Sequence, residues 1–166
     1  MIDTIQGYVY ILGDDINTDD IVPSDTLTLR DTTEMAKNTL KYIDPNFANT
    51  VVKENIIIAG GNFGTGSSRE EAVNVFKILG VKAIIAKSFA RIYFRNLINL
   101  GIPGIQLNWN EENFSHGDHI EITLNKGRIL NKTKNFELNF DRLPDFLTNI
   151  LKEGGIINQL KKKLLH

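Results

Sequence analysis

The sequence predicts an α/β fold with a βαβ core and a β-hairpin region downstream. Three observations carry this. Ile56-Ile-Ile-Ala59 and Ala83-Ile-Ile-Ala86 are short, wholly apolar runs of the length of buried strands. Between them Ala72, Val75, Phe76 and Leu79 recur every three to four residues, as on one face of a helix. Residues 119–140 alternate in strand fashion around the hairpin turn Asn125-Lys-Gly127. A strand, a crossover helix and a second strand of one sheet imply a right-handed βαβ unit with parallel strands.

In chain order, Tyr8-Val-Tyr-Ile-Leu12 reads as a first strand, followed by a polar loop from Gly13 to about Asp31. Glu34 to Ile43 has a helical pattern that must stop before Asp44-Pro45. Strand 56–59, helix 67–79 and strand 83–86 follow, then a helix from about Ser88 to Leu100, ended by Gly101 and Pro103. Gly104-Ile-Gln-Leu107 is a short strand, and after the 119–140 region two short helices, near 143–153 and 156–165, close the chain. There are no repeats or low-complexity linkers, so 166 residues read as one domain, long enough to bury a real core.

Composition narrows the function classes. With 19 basic against 20 acidic residues, the net charge of −1 argues against a polyanionic partner. Lys161-Lys-Lys163 is the only basic run, and it falls in the last turns of a helix, where cations favour the dipole. It reads as a solvated helix end. No apolar run approaches the ~18 residues that a membrane span needs. The N-terminus passes into the first strand without a signal-peptide pattern. The absence of cysteine means no disulfides and no iron–sulfur ligands in this chain. A cytoplasmic location is the expectation.

The chemistry-bearing segment is Gly60-Gly-Asn-Phe-Gly-Thr-Gly-Ser-Ser-Arg-Glu70, between the 56–59 strand and the following helix. The order strand, glycine loop, helix places Ser67, Ser68 and Arg69 in the first helical turn, beside unpaired N–H groups and the positive end of the dipole. Backbone at Gly64, Thr65 and Gly66 would form the anion nest. Neither nucleotide motif is present. A P-loop needs Gly-Lys-Ser/Thr, whereas Gly66 is followed by Ser67; a dinucleotide fingerprint needs glycine where Arg69 stands. What remains is a nest with two hydroxyls and a guanidinium, which suits a carboxylate. Taken alone, these residues also allow a plain helix cap with Arg69 in solvent.

The surrounding residues extend the pattern. Gly64-Thr-Gly-Ser-Ser-Arg-Glu70 is followed by Ser88-Phe-Ala-Arg-Ile92 and Asn96, and preceded by Gly13-Asp-Asp-Ile-Asn-Thr-Asp-Asp-Ile-Val-Pro23. Together these resemble the swivel domain of the aconitase superfamily, and the tail segments Leu143-Pro-Asp-Phe-Leu and Glu153-Gly-Gly-Ile fit its closing region. Within the superfamily, the chain resembles the free-standing small subunits of 3-isopropylmalate dehydratase, in the short archaeal-type form, over essentially its whole length. The resemblance implies a swivelling β/β/α architecture of the aconitase C-terminal type. It also implies a hydro-lyase of leucine biosynthesis that acts only with a large subunit carrying a 4Fe-4S cluster, on a hydroxy-dicarboxylate substrate.

Carried onto this sequence, the resemblance makes Ser67 the catalytic base. Ser68 and Arg69 would bind a substrate carboxylate, and Asp19 matches the family's active-site aspartate. Arg30, the only basic residue between Asp19 and Lys37, lies in the loop where the family varies to select the substrate side chain; an exposed loop arginine is the alternative. Asp25 stands where many members carry lysine or arginine, and Thr65 and Glu71 replace the cysteine and histidine often seen there. The mechanism requires neither Thr65 nor Glu71. Isopropylmalate leads as substrate, with homoaconitate or another alkylmalate next.

Other motifs carry less. His116-Gly-Asp-His119 lacks a third metal ligand nearby, and Asp15, Asn17 and Asp19 match the start of an EF-hand loop whose sixth and twelfth positions, Asp20 and Thr26, do not. Metal ligands in this chain are therefore not expected. Phe89, Tyr93 and Phe94 read as packing residues of a helix. Two further classes stay open: a non-catalytic interaction subunit, and a small-anion-binding module; the isolated chain could also self-associate.

Overall fold

A computed structural model describes residues 3–165. One seven-stranded sheet organises it, in the order β4-β3-β2-β1-β5-β6-β7. These strands are β1 (Thr4–Ile11), β2 (Ile56–Ala59), β3 (Ala83–Ala86), β4 (Gly104–Gln106), β5 (His119–Thr123), β6 (Arg128–Asn131) and β7 (Phe136–Asn139). From β1 to β4 neighbours pair in parallel, whereas β1-β5, β5-β6 and β6-β7 pair antiparallel. The expected parallel βαβ core and the downstream hairpin region are both present.

β2 and β3 are buried at every position, which is why they read as continuous apolar runs rather than alternating ones. Their side chains divide between two cores. Ile57, Ala59, Ile84 and Ala86 face one cluster, with Phe47, Phe63, Phe76 and Tyr93; Ile56, Ile58, Ala83 and Ile85 face another, with Trp109, Phe114 and Ile120. Ile105 of β4 and Ile129 of β6 belong to that second cluster although their strands lie far apart in the sheet order, so the sheet curls around it.

Several boundaries differ from expectation. β1 begins at Thr4 rather than Tyr8, because Thr4–Tyr8 pair with β5 more than a hundred residues later. The helix expected at 34–43 is α2 (Thr32–Lys37), capped by the Asp31 carboxylate, which accepts from the Thr33 N–H. The chain leaves the helix because Leu40 is fully buried, adopts φ 57°, and donates its N–H to the Ile21 carbonyl. Two short helices add to the expected elements: α1 (Thr18–Ile21) within the segment read as a polar loop, and α3 (Phe47–Thr50) between α2 and β2. The crossover helix α4 spans Glu71–Ile78, and α5 spans Arg91–Asn99. Gly127 takes the left-handed conformation at the β5–β6 turn, as the hairpin requires. The chain ends with α6 (Asp145–Lys152) and α7 (Ile156–Leu164), whose Lys161, Lys162 and Lys163 lie in the last turn and are exposed.

Candidate active site

Residues 60–69 leave the carboxyl end of β2 and pass between two other loops. On one side, Gly60 and Gly64 donate to the carbonyls of Gly13 and Ile16 (3.1 and 2.7 Å), and Thr18 donates to Thr65 (2.8 Å). On the other, the Asn62 N–H donates to the Ser88 hydroxyl (2.8 Å), Phe63 donates to the Ser88 carbonyl (3.0 Å), and Ala90 donates to the Phe63 carbonyl (2.9 Å). The three sequence motifs thus meet in space. Phe63 is fully buried and packs edge-on against Tyr93 and Phe89. Phe89 precedes α5, Tyr93 is buried on it and Phe94 is half-buried, so the packing reading of these aromatics holds.

This clamping corrects the placement of the serines. α4 starts at Glu71, so Ser67, Ser68 and Arg69 lie in the loop before the helix and not in its first turn. The reason is competition for the backbone. Gly66 sits at φ 100°, outside helical space, and the buried Thr18 hydroxyl donates to the Ser67 carbonyl (2.9 Å). The helix field falls off within a turn, so it contributes little at Ser67. Gly64 also differs from its expected part in an anion nest: its N–H is committed to Ile16 and Thr65 bridges to Asn17, while the Gly66 N–H has no hydrogen-bond partner among the described residues. Gly64 is instead required by space, because a Cβ there would lie 2.1 Å from Tyr93 Cγ.

Arg69 is the ordered charge of the site. Its Nη1 lies 2.6 Å from Asp19 Oδ1 and donates to the Val22 carbonyl at 3.2 Å. The arginine side chain is 20% exposed and the aspartate 65%. Both contacts use one nitrogen, so the remaining guanidinium N–H groups stay free to take a carboxylate. Asp19 is in turn placed by α1, where Asn17 and Asp20 form a reciprocal capping box. Ser67 and Ser68 are exposed at the rim of a concavity of about 310 Å³. Gly66, Arg69, Thr18 and, across from them, Ala90, Ile92 and Asn96 contribute to its lining.

Tyr93 closes the floor beneath this concavity. Its buried hydroxyl donates to the Ala72 carbonyl at 2.7 Å, and burial pushes the phenol pKa well up, so it acts as a neutral donor. The parts of the site that sequence reasoning missed are Thr18 and the Tyr93–Gly64 contact. Thr18 adjoins Asp19 in the quoted motif, but nothing local marks its hydroxyl as the tie to Ser67.

Arg30 is exposed between the Ser24–Thr26 turn and α2, and it is not among the residues lining the concavity. Asp25 is exposed in that turn and accepts from the Tyr42 hydroxyl (2.6 Å) and Lys41 Nζ (3.0 Å). The Tyr42 hydrogen bond first, then Lys41, hold its carboxyl below the usual carboxylate range. Because the folded pKa is depressed, this tether is present above the usual range and is lost as pH falls through the lowered value. NMR titration of the Asp25 carboxyl carbon should show the low midpoint, and Tyr42→Phe should move it upward.

Among the described residues no group of three or more His, Cys, Asp or Glu side chains is placed to hold a metal ion. His116 Nδ1 accepts from the Ile11 N–H at 3.2 Å and its ring packs edge-on against Tyr10, while His119 stacks on Tyr8. Asp15 accepts from the Asn62 amide (2.9 Å), Asn17 caps α1 and Asp19 pairs with Arg69, so the EF-hand-like triplet is spent on the loops. No helix among the described residues is long and apolar enough to cross a membrane.

Residues 15–110, which hold the first motif from Asp15 onward and the other two entirely, match the aconitase C-terminal domain, over more than half of the chain. The chain belongs to that family. Its relatives include the 3-isopropylmalate dehydratase small subunit 1 of Thermotoga maritima, 48% identical over 159 residues and covering 95% of each chain. The protein of the same name from Methanopyrus kandleri is 40% identical, covering 98% of this chain and 96% of its own. Among solved structures, the 3-isopropylmalate dehydratase of Methanocaldococcus jannaschii superposes with a TM-score of 0.90 at 42% identity, covering 98% of this chain and 96% of that one. The family's fold, a mixed α/β domain with a curled seven-stranded sheet, is the one described above.

Proposed function

We propose that this chain is the small subunit of a two-subunit hydro-lyase that interconverts 2- and 3-isopropylmalate in leucine biosynthesis. The observation that carries the reading is the clamped 60–69 loop, which presents Ser67 and Ser68 at an open rim beside a guanidinium held by Asp19. End-to-end likeness to small subunits of 3-isopropylmalate dehydratase supports it.

In this reading the free donors of Arg69, with the Ser68 hydroxyl, hold one substrate carboxylate. Ser67, as the alkoxide, takes the proton from the carbon next to a carboxylate, and hydroxide leaves from the neighbouring carbon. Re-addition in the opposite sense gives the isomer. The 4Fe-4S cluster of the large subunit supplies Lewis acidity toward the leaving hydroxyl. Arg30 lies outside the concavity, and in this reading it would meet the substrate side chain only if the partner brought its loop over the site.

The energetics explain why the chain should not act alone. An exposed serine is almost fully protonated at neutral pH. In open water a cation 4 Å away is worth only ~1 kcal/mol, under one pKa unit at about 1.36 kcal/mol per unit. With Ser67 outside the helix, the dipole adds little more. Exclusion of water is the remaining source of stabilisation, because fixed charges act more strongly in an enclosed site. Anaerobic co-purification with a cluster-bearing large subunit should therefore yield an isopropylmalate isomerase, while the colourless chain alone turns nothing over. Turnover by the isolated chain would overturn the reading. Homoaconitate as the better substrate of the assembled enzyme would replace isopropylmalate and leave the chemistry in place.

A further inference from the structure

α5 breaks two local rules of helix design on its exposed face. Arg91 occupies the first position of the helix, where a cation opposes the dipole. Arg95 follows one turn later on the same face, and like charges at that spacing repel. No acidic residue occurs anywhere in α5, and neither arginine forms an ion pair or a side-chain hydrogen bond among the described residues. Asp141 lines a neighbouring concavity of about 690 Å³ together with Arg91, without pairing with it. Beside Arg91 stands Ile92, 60% exposed on a helix whose Tyr93, Leu97 and Ile98 are buried. An apolar side chain left out between two unneutralised cations gains nothing within this chain.

Position supplies the reason. Arg91 and Ile92 line the same concavity as Ser67, Ser68 and Arg69, and Arg91 also lines the larger hollow on its other side. The first turn of α5 is thus a ridge between two hollows, continuous with the rim that must be covered for Ser67 to work. A protein surface that closes this concavity over Ser67 meets Arg91 and Ile92 on the same lining.

We infer that the exposed ridge of Arg91, Ile92 and Arg95 is an anchor for the large subunit. It fits an apolar recess on that partner, filled by Ile92 and flanked by carboxylates that neutralise the two arginines. This inference rests on the small-subunit reading above. The apolar anchor supplies affinity, and the arginines supply orientation and the encounter rate.

The test is titration of the intact chain onto its cluster-bearing large subunit under anaerobic conditions, at low and high salt. Wild type should bind, more weakly as salt rises. Ile92→Asp and Arg95→Glu should each raise the Kd by about tenfold or more, with unchanged circular dichroism and, for Arg95→Glu, a thermal midpoint no lower than wild type, since it replaces a repulsive pair with an attractive one. Arg95→Glu should also flatten the salt dependence, yet reach wild-type turnover once the partner is saturating. Lys126→Glu, on the exposed β5–β6 turn, serves as the control and should bind as wild type. Kd values for Ile92→Asp and Arg95→Glu within twofold of wild type would overturn the inference and leave the small-subunit reading standing. So would a raised KM for isopropylmalate with partner affinity intact, which would assign the ridge to substrate. A wild-type chain that fails to bind the large subunit at all would overturn both.

Discussion

Ser67→Ala is expected to remove turnover from the assembled enzyme while leaving the scaffold and the subunit complex intact. The loss should be about 10²–10⁴-fold in kcat, the usual contribution of a positioned proton-transfer group. The structure makes this a clean substitution. The tie that holds the loop at this point runs from the Thr18 hydroxyl to the Ser67 carbonyl, so it survives removal of the side-chain oxygen. Ser67 is exposed, and no side-chain hydrogen bond is deleted with it among the described residues. Thermal midpoint and partner affinity should therefore match wild type, and the change should fall on kcat with little on KM. A rate unchanged by Ser67→Ala would favour the non-catalytic interaction subunit instead. Arg69→Ala should behave differently, raising KM because a carboxylate loses its fork, and releasing Asp19 and the Val22 carbonyl as well.

Gly64→Ala should be one of the most damaging single methyl additions to this chain. Gly64 is buried at φ 86°, a left-handed conformation that costs an L-residue roughly 1–2 kcal/mol. The new Cβ would also meet Tyr93 at 2.1, 2.4 and 2.5 Å from three side-chain carbons. Tyr93 cannot retreat, since its ring packs against Phe63 and its hydroxyl is bonded to Ala72. Overpacking of this kind adds about 1–3 kcal/mol. The sum, roughly 2–5 kcal/mol, corresponds to a fall in Tm of about 5–15 °C for a domain of this size. Calorimetry on the isolated chain would measure it. A Tm within a degree or two of wild type would mean that Tyr93 and the loop can move apart. In a Tyr93→Ala background, Gly64→Ala should cost less than in wild type, because the clashes with the ring carbons are gone, while the backbone cost and the contact with the Cβ at position 93 remain.

Much of the fold could be read from the residues alone, and the successes share a cause. β2 and β3 were legible to the residue because a four-residue apolar run bounded by polar residues has one satisfactory place, a strand covered on both faces. The β5–β6 turn was legible because a left-handed glycine closes it locally. The three motifs that meet around the candidate site were visible as residue types and spacings. In each case the deciding interaction lies within a few residues, or is simple burial.

What the sequence left undecided was settled by pairs of residues far apart in the chain. α2 stops early because Leu40 reaches the core and the Ile21 carbonyl, although its own neighbours would continue the helix. Ser67, Ser68 and Arg69 look like a first helical turn, yet Thr18, 49 residues earlier, holds the Ser67 carbonyl in a loop. Arg69 finds Asp19 and Val22, and Gly64 finds Tyr93, only after β1, β2 and α5 have been brought side by side. Local propensity is worth tenths of a kcal/mol per residue and is written in short windows of sequence. A buried hydrogen bond or a steric contact is worth more and depends on where the rest of the chain has folded. The sequence by itself therefore determined the elements and the chemical groups of this protein, and the tertiary structure alone decided which of those groups meet at the site and which stand exposed on its rim.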